Sequence, residues 1–120
     1  MKSILLVDDC KTTRKILSYL LKGKDFTILQ AENGLDALEK LARNDVDLII
    51  TDLNMPRMDG IEFVKAVKED GAYMGIPIIM LTTESSELDK SKAYQLGVSS
   101  YLSKPVDKER ILNEIEKHCK

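Results

Sequence analysis

Short apolar runs alternate with segments of helical periodicity along the whole chain. The runs are rich in aliphatic and β-branched side chains, which is typical of strands buried on both faces. The pattern predicts strands at residues 3–7, 26–30, 48–51, 78–81 and 100–103. It predicts helices at residues 12–21, 35–43, 87–96 and 108–117, and a further helix after Gly60 that is closed by Asp70 and Gly71.

Four of the predicted helices carry an apolar stripe that should face a core. The stripes are Ile16, Leu17, Leu20 and Leu21, then Leu35, Leu38, Leu41 and Ala42, then Ile61, Val64 and Val67, and finally Ile111, Leu112 and Ile115. The helix at residues 87–96 offers only Leu88, Ala93 and Leu96. We therefore expect that helix to be the least firmly packed.

Strict alternation of strands and helices with short connections predicts the fold class. Parallel neighbouring strands need crossover connections, and these are right-handed. The sequence predicts a doubly wound α/β fold, in which helices cover both faces of a five-stranded parallel sheet. We expect a single domain over residues 1–120 with no output domain.

Composition narrows the class of protein. The chain has 120 residues, of which 43% are hydrophobic, and a net charge of -2 with both signs interleaved. This excludes a basic nucleic-acid footprint, and no apolar segment approaches membrane-spanning length or resembles a signal peptide. Cys10 and Cys119 lack metal-type spacing and are expected to be free thiols. We expect a cytoplasmic protein with no nucleic-acid partner and no membrane insertion.

Polar residues occupy the carboxyl ends of four predicted strands. They are Asp8 and Asp9, Asp52, Thr82 and Lys104. In open parallel sheets, ligands bind beyond the carboxyl ends of the strands, where the strand order reverses. We therefore expect these five side chains to share one shallow crevice.

The acids in this crevice need a cation. Three carboxylates repel one another, and Lys104 supplies only one positive charge. A hard divalent ion fits, and Mg²⁺ suits a site with few carboxylates and retained waters. A plainer interpretation makes Asp8 and Asp9 caps of the first helix and Asp52 the start of a turn. Capping explains one acid but not three acids and a lysine at matching strand ends.

A carboxylate beside Mg²⁺ can attack a phosphoryl group whose oxygens are neutralised by the metal and a lysine. Asp52 is the candidate nucleophile, and Thr82 is a candidate hydroxyl donor. Taken alone, Thr82 would be interpreted as an ordinary residue at a strand end and Lys104 as a solvated lysine in a loop. A Mg²⁺-dependent phosphohydrolase would need a second acid two residues after the nucleophile, where this chain has Asn54. A flavin- or nucleotide-binding module would need phosphate loops rich in Gly, Ser or Thr, and these loops are acidic.

An ordered set of motifs resembles one known family over nearly the whole chain. The set comprises Val7-Asp8-Asp9, Asp52, Met55-Pro56, Met58-Asp59-Gly60, Thr82 and Lys104-Pro105, with Arg14 and Asn33-Gly34 at common family positions. Together these motifs are highly specific. The chain resembles the response-regulator receiver domains, above all the stand-alone, CheY-like ones. The resemblance implies a sheet of strand order 2-1-3-4-5.

The resemblance also implies roles for the strand-end residues. Asp52 would be the phosphoacceptor, taking a phosphoryl group from the phosphohistidine of a sensor histidine kinase. Mg²⁺ would be bound directly by Asp9, Asp52 and the backbone carbonyl of Asn54. Asp8 would act through a water, and Lys104 would pair with the phosphoryl oxygens. The peptide bond between Lys104 and the following proline is commonly cis in this family.

A switch is implied as well. Thr82 would turn to hydrogen-bond the phosphoryl group, and Tyr101 would rotate inward behind it. This would change the face formed by the fourth helix, fifth strand and fifth helix, where family partners bind. Asn54 and Glu84 match positions that influence the lifetime of the phosphoryl group.

The function implied is a phosphorylation-dependent switch of a two-component system, not an enzyme that turns over an external substrate. We expect a monomer that acts in chemotaxis on a downstream protein such as the flagellar motor switch, with a phosphatase as a further partner. A phosphorelay intermediate or a kinase-regulating receiver is the alternative.

Two other conspicuous residues are given structural roles. Carboxylates beside Cys10 should raise its pKa and blunt its reactivity, so we expect Cys10 to serve packing. His118 should lie in a fraying last turn, where an imidazole suits the helix dipole, and should be neither a ligand nor a base.

Overall fold

Ten elements make up the fold of this protein, which a computed structural model describes over residues 2–84 and 86–119. They follow the order β1 (Lys2–Val7), α1 (Lys11–Leu20), β2 (Phe26–Ala31), α2 (Gly34–Arg43), β3 (Leu48–Thr51), α3 (Gly60–Glu69), β4 (Ile78–Thr82), α4 (Glu87–Leu96), β5 (Ser100–Ser103) and α5 (Lys108–His118). The predicted alternation is therefore confirmed, with no boundary shifted by more than one residue.

All five strands are parallel and lie in the order β2-β1-β3-β4-β5. Ile4 of β1 pairs with Leu48 of β3, and Met80 of β4 pairs with Tyr101 of β5. The doubly wound fold and its strand order are confirmed. β2 lies on one side of β1, and β3, β4 and β5 follow in turn on the other side. The strand order therefore reverses between β1 and β3.

Side chains of the sheet alternate between two cores. Leu5 and Val7 pack on one face with α2, α3 and α4, whereas Ile4 and Leu6 pack on the other with α1 and α5. Successive strand residues point to opposite faces, so each continuous apolar run supplies both cores. Because both faces are covered, polar side chains of the strands reach solvent mainly at the strand ends.

Two predicted apolar stripes are partly wrong. Ile16 is 54% exposed, Leu35 is 43% exposed and Ala42 is exposed. The buried residues of α2 are Gly34, Ala37 and Leu41. A Cβ at Gly34 would lie 2.6 Å from Cγ of Met58. The close approach of α2 to the rest of the domain at its small residues therefore sets the rotation of this helix. Counting apolar side chains along the sequence does not reveal this rotation.

Helix α4 has an even thinner apolar stripe than its sequence predicts, because Leu88 lies outside it. Ala93 is its buried residue, and Leu88 is 77% exposed. Across residues 2–84 and 86–119, no helix has the length and apolar character needed to cross a bilayer.

Candidate phosphoryl-transfer and metal site

The carboxylates of Asp8 and Asp52 meet the ammonium group of Lys104 at the carboxyl edge of the sheet. Asp8 follows β1, Asp52 follows β3 and Lys104 follows β5. Nζ of Lys104 lies 2.6 Å from Oδ2 of Asp8 and 3.0 Å from Oδ2 of Asp52. The side chains of Asp8, Asp52 and Lys104 are 4%, 12% and 17% exposed, respectively. These ion pairs are thus shielded from water and are stronger than ordinary surface pairs.

The charge of Lys104 is held by its two partners. Burial opposes the ammonium form, but hydrogen bonds and the charges of Asp8 and Asp52 outweigh it and raise the pKa of Lys104. The peptide bond between Lys104 and Pro105 is cis, as the resemblance implies. The N–H of Lys104 donates to the carbonyl of Thr82 at 2.9 Å, which fixes the loop against β4.

Asp9 completes an acidic cluster that fits a divalent cation. One carboxylate oxygen from each of Asp8, Asp9 and Asp52 lies within 4.8 Å of the others. Asp9 is exposed, so a cation could reach the cluster from solvent. Lys104 offsets only one of the three negative charges, and an all-oxygen donor set matches the preference of Mg²⁺.

Backbone groups orient both inner carboxylates. The N–H of Leu53 donates to Oδ1 of Asp52 at 2.6 Å, and the N–H of Cys10 donates to Oδ1 of Asp8 at 2.8 Å. The guanidinium of Arg14 donates to the carbonyl of Asp8. Each carboxylate therefore has one oxygen held by backbone and the other by Lys104, which leaves little freedom to turn.

The loop after Asp52 is shaped by Gly60. A Cβ on Gly60 would lie 2.3 Å from the carbonyl oxygen of Asp52 and 2.7 Å from Cα of Leu53. The N–H of Gly60 also donates to the carbonyl of Leu53 at 2.7 Å. Asp59 caps α3 in a capping box with Glu62. A rigid helix start thus rests directly against the candidate nucleophile.

Glu84 links the other predicted residues. Its N–H donates to Oγ1 of Thr82 at 3.3 Å, and its carboxylate accepts from Nδ2 of Asn54 at 2.8 Å. The hydroxyl of Tyr101 donates to the carbonyl of Glu84 at 3.0 Å. Tyr101 is only 8% exposed, so its ring lies inward.

Two interpretations of the first loop are wrong. Helix α1 has Cys10 at its N-cap with no side-chain cap hydrogen bond, so Asp8 and Asp9 do not cap it. Cys10 is exposed and does not serve packing. Hydrogen bonds to Thr13 lower its pKa and outweigh the charge of Asp8. The loop turns the thiol toward the helix N-terminus, which sequence proximity to acids could not reveal.

His118 is not in a frayed turn. Its Nε2 lies 2.8 Å from Oγ of Ser100 and 3.5 Å from a carboxylate oxygen of Glu114, and its side chain is 20% exposed. The hydroxyl of Ser100 donates to Glu114 at 2.6 Å, and this bond lowers the pKa of Glu114. The end of α5 is therefore fastened to β5.

One contact beside the predicted switch has no counterpart in the sequence pattern. The hydroxyl of Tyr94 on α4 accepts the N–H of Tyr101 at 3.1 Å. A tyrosine seven residues before another carries no sequence signal for such a contact, because a helix end, a turn and a strand start must first be placed in space.

The whole of this architecture matches a known sequence family. The profile of the response regulator receiver domain matches residues 4–116. The chain belongs to the response regulator receiver domain family. As a receiver domain it is a signalling domain of the phosphorylation-dependent, two-component type, and not a turnover enzyme.

Curated relatives and solved structures agree. Chemotaxis protein CheY1 of Helicobacter pylori is 39% identical over 115 residues, covering 94% of this chain and 93% of the relative. Protein PilG of Pseudomonas aeruginosa is 36% identical, covering 96% and 85%. The structure of chemotaxis protein CheY4 of Vibrio cholerae matches this receiver domain with a TM-score of 0.92 at 37% identity and covers 98% of both chains.

Proposed function

We propose that Asp52 of this receiver domain accepts a phosphoryl group from a sensor histidine kinase and that the resulting acyl phosphate is the signal. The observation that carries this is the position of the Asp52 carboxylate, 3.0 Å from the ammonium of Lys104 and within 4.8 Å of the ligand oxygens of Asp8 and Asp9. A nucleophile, a cationic clamp and a metal-ligating cluster thus share one strand-end crevice.

The chain's own groups prepare the transfer. An oxygen of Asp52 attacks phosphorus, the bond from phosphorus to the donor histidine nitrogen breaks, and the imidazole leaves with the electron pair. Lys104 exchanges a carboxylate partner for a phosphoryl oxygen and so offsets the added charge. The backbone N–H of Leu53 holds the aspartate in a fixed orientation throughout.

Asp9, Asp52 and the backbone carbonyl of Asn54 would hold Mg²⁺ directly, with Asp8 acting through a water. When bound, the ion neutralises phosphoryl oxygens during transfer. The hydrogen bond between Asn54 and Glu84 lies beside Asp52. We propose that these two side chains control the rate at which water hydrolyses the acyl phosphate and restores the free carboxylate.

We propose that a movement of Thr82 links phosphorylation to the binding of a downstream protein. Its hydroxyl, which now accepts the N–H of Glu84, would turn to donate to the phosphoryl group and so release the loop that also holds Tyr101. The face formed by α4, β5 and α5 would then bind a downstream protein. Likeness to a chemotaxis protein favours a role in chemotaxis. We propose in addition that the domain works in the cytoplasm as a monomer, with the flagellar motor switch as its target and a phosphatase as a further partner.

Mass spectrometry after incubation with acetyl phosphate and Mg²⁺ tests the proposal. We expect one added phosphoryl group per chain, located on Asp52, with no continued turnover of phosphomonoesters. The Asp52→Asn variant should gain no mass, whereas Asp45→Asn, at an exposed acid before the start of β3, should behave as wild type. An unmodified Asp52, or a modified Asp52→Asn chain, would contradict the assignment.

A further inference from the structure

Helix α4 is held to the domain by few groups. Ala93 is its buried residue, and Leu88 and Tyr94 are 77% and 44% exposed. Its N-cap hydrogen bond, from the N–H of Asp89 to Oγ of Ser86, is long at 3.4 Å. With so little apolar burial, individual polar contacts carry an unusual share of the attachment of this helix.

Two tyrosine hydroxyls supply such contacts, one toward each end of the helix. The hydroxyl of Tyr101 donates to the carbonyl of Glu84, in the loop that enters α4. The hydroxyl of Tyr94, in the last half of α4, accepts the N–H of Tyr101. Residue 101 is therefore tied to both ends of α4, through its side chain and through its backbone.

The backbone contact also satisfies an N–H group at the edge of the sheet. β5 is an edge strand, and N–H groups on its outer side have no neighbouring strand to bond. Tyr94 gives the N–H of Tyr101 its acceptor. Movement of α4 away from β5 would break this bond, whereas a change in the side-chain rotamer of Tyr101 alone would not.

We propose that Tyr94 is a positioning residue, whose hydroxyl clamps the last half of α4 to the β5 edge and transmits to the helix the state of the site at Asp52. This proposal rests on the proposed function, since the other half of the clamp runs through Glu84, Thr82 and Tyr101. Tyr94 does not touch the candidate phosphoryl site. It acts through the backbone of Tyr101.

Hydrogen exchange of the Tyr94→Phe variant, without any phosphodonor, tests the clamp. The variant keeps the ring and loses only the hydroxyl. We expect amides of α4 to exchange about three- to tenfold faster, the range that corresponds to one net hydrogen bond, with α2 unchanged. Tyr19→Phe, at a 74% exposed tyrosine on α1, should alter neither helix. Unchanged exchange in α4, or equal acceleration of α2, would overturn the proposal.

A second arm adds beryllium fluoride, a phosphoryl mimic, with Mg²⁺. In the wild type, we expect the mimic to change exchange along the whole of α4. In Tyr94→Phe, the change should be confined to the loop at residues 83–84 and the first turn of the helix. An equal response of the last half of α4 in both proteins would refute transmission through Tyr94. If the mimic alters nothing in the wild type, the phosphorylation proposal fails, while the mimic-free comparison still decides the clamp.

Discussion

Helices α3 and α4 are both ten residues long, and each follows a strand that ends at the candidate site. α3 buries Phe63, Val64 and Val67 and begins with a complete capping box. α4 buries Ala93 and begins with a long N-cap hydrogen bond. The difference separates two tasks within one site. The side of the candidate nucleophile is fixed by packing, whereas the side that would report its state under the proposed function is held by a few polar contacts.

This division has an energetic logic. Reaction at Asp52 needs fixed geometry, because misplaced charges lose most of their stabilising effect. A switch needs two arrangements of similar free energy, which a well-packed helix does not offer. We expect four consequences of this difference between α3 and α4, from large effects on stability to small ones.

Substitution Gly60→Ala should damage the fixed side most. The new methyl group would lie 2.3 Å from a backbone oxygen of Asp52, which cannot move aside cheaply. We expect unfolding free energy to fall by about 3 kcal/mol or more in urea denaturation. Gly71→Ala, where nothing lies within 4 Å of the added Cβ, is the matched control and should remain near wild type. Equal stability of the two variants would show that the loop after Asp52 is not rigid.

The two N-caps should differ in strength. Asp59→Ala removes a side chain that accepts the N–H of Glu62 at 2.9 Å, and should cost about 1 kcal/mol. Ser86→Ala removes a 3.4 Å contact and should cost less than about 0.5 kcal/mol. Both values come from the same denaturation experiment. A larger loss at Ser86 would reverse the contrast between α3 and α4.

Alkaline pH should loosen the switch side. Burial, followed by the charges of Asp89, Glu84 and Asp52, raises the pKa of Tyr101. Folding thus favours the neutral phenol, and this contribution is present below the ordinary tyrosine pKa of about 10 and lost as pH rises above it. Ultraviolet titration should show a late phenolate component that Tyr101→Phe removes and Tyr19→Phe retains. Its persistence in Tyr101→Phe would refute the assignment.

The smallest effect is expected at Asp9. Lys104 already pairs with Asp8 and Asp52, so Asp9→Asn relieves only the remaining repulsion. Without Mg²⁺ we expect a gain of a few tenths of a kcal/mol, or about 1–2 °C in thermal midpoint. Excess Mg²⁺ should stabilise the wild type more than the variant and reverse their order. A lower midpoint for Asp9→Asn in the absence of metal would contradict the repulsion argument.

Much of the fold and of the candidate site follows from local pattern. The continuous apolar run of β3 requires burial on both faces. Asp52, which follows the run, must therefore lie where the carboxyl ends of the strands reach solvent. The same reasoning brings Asp8 and Lys104 to Asp52, because parallel strands end together. The weak packing of α4 follows from its amino-acid composition alone, because a helix with few apolar residues can bury little apolar surface.

Tertiary structure decided what local pattern leaves free. The rotation of α2 depends on the close approach of Gly34 to Met58. The pKa of Cys10 depends on the groups that its thiol contacts. The position of His118 depends on a hydrogen bond with Ser100, eighteen residues earlier in the chain. The contact between Tyr94 and Tyr101 likewise exists only once helix and strand are packed. Apolar periodicity fixes which elements form, because burial scales with area and has no direction. Hydrogen bonds are directional and short-ranged, so their partners are settled only by the assembled fold.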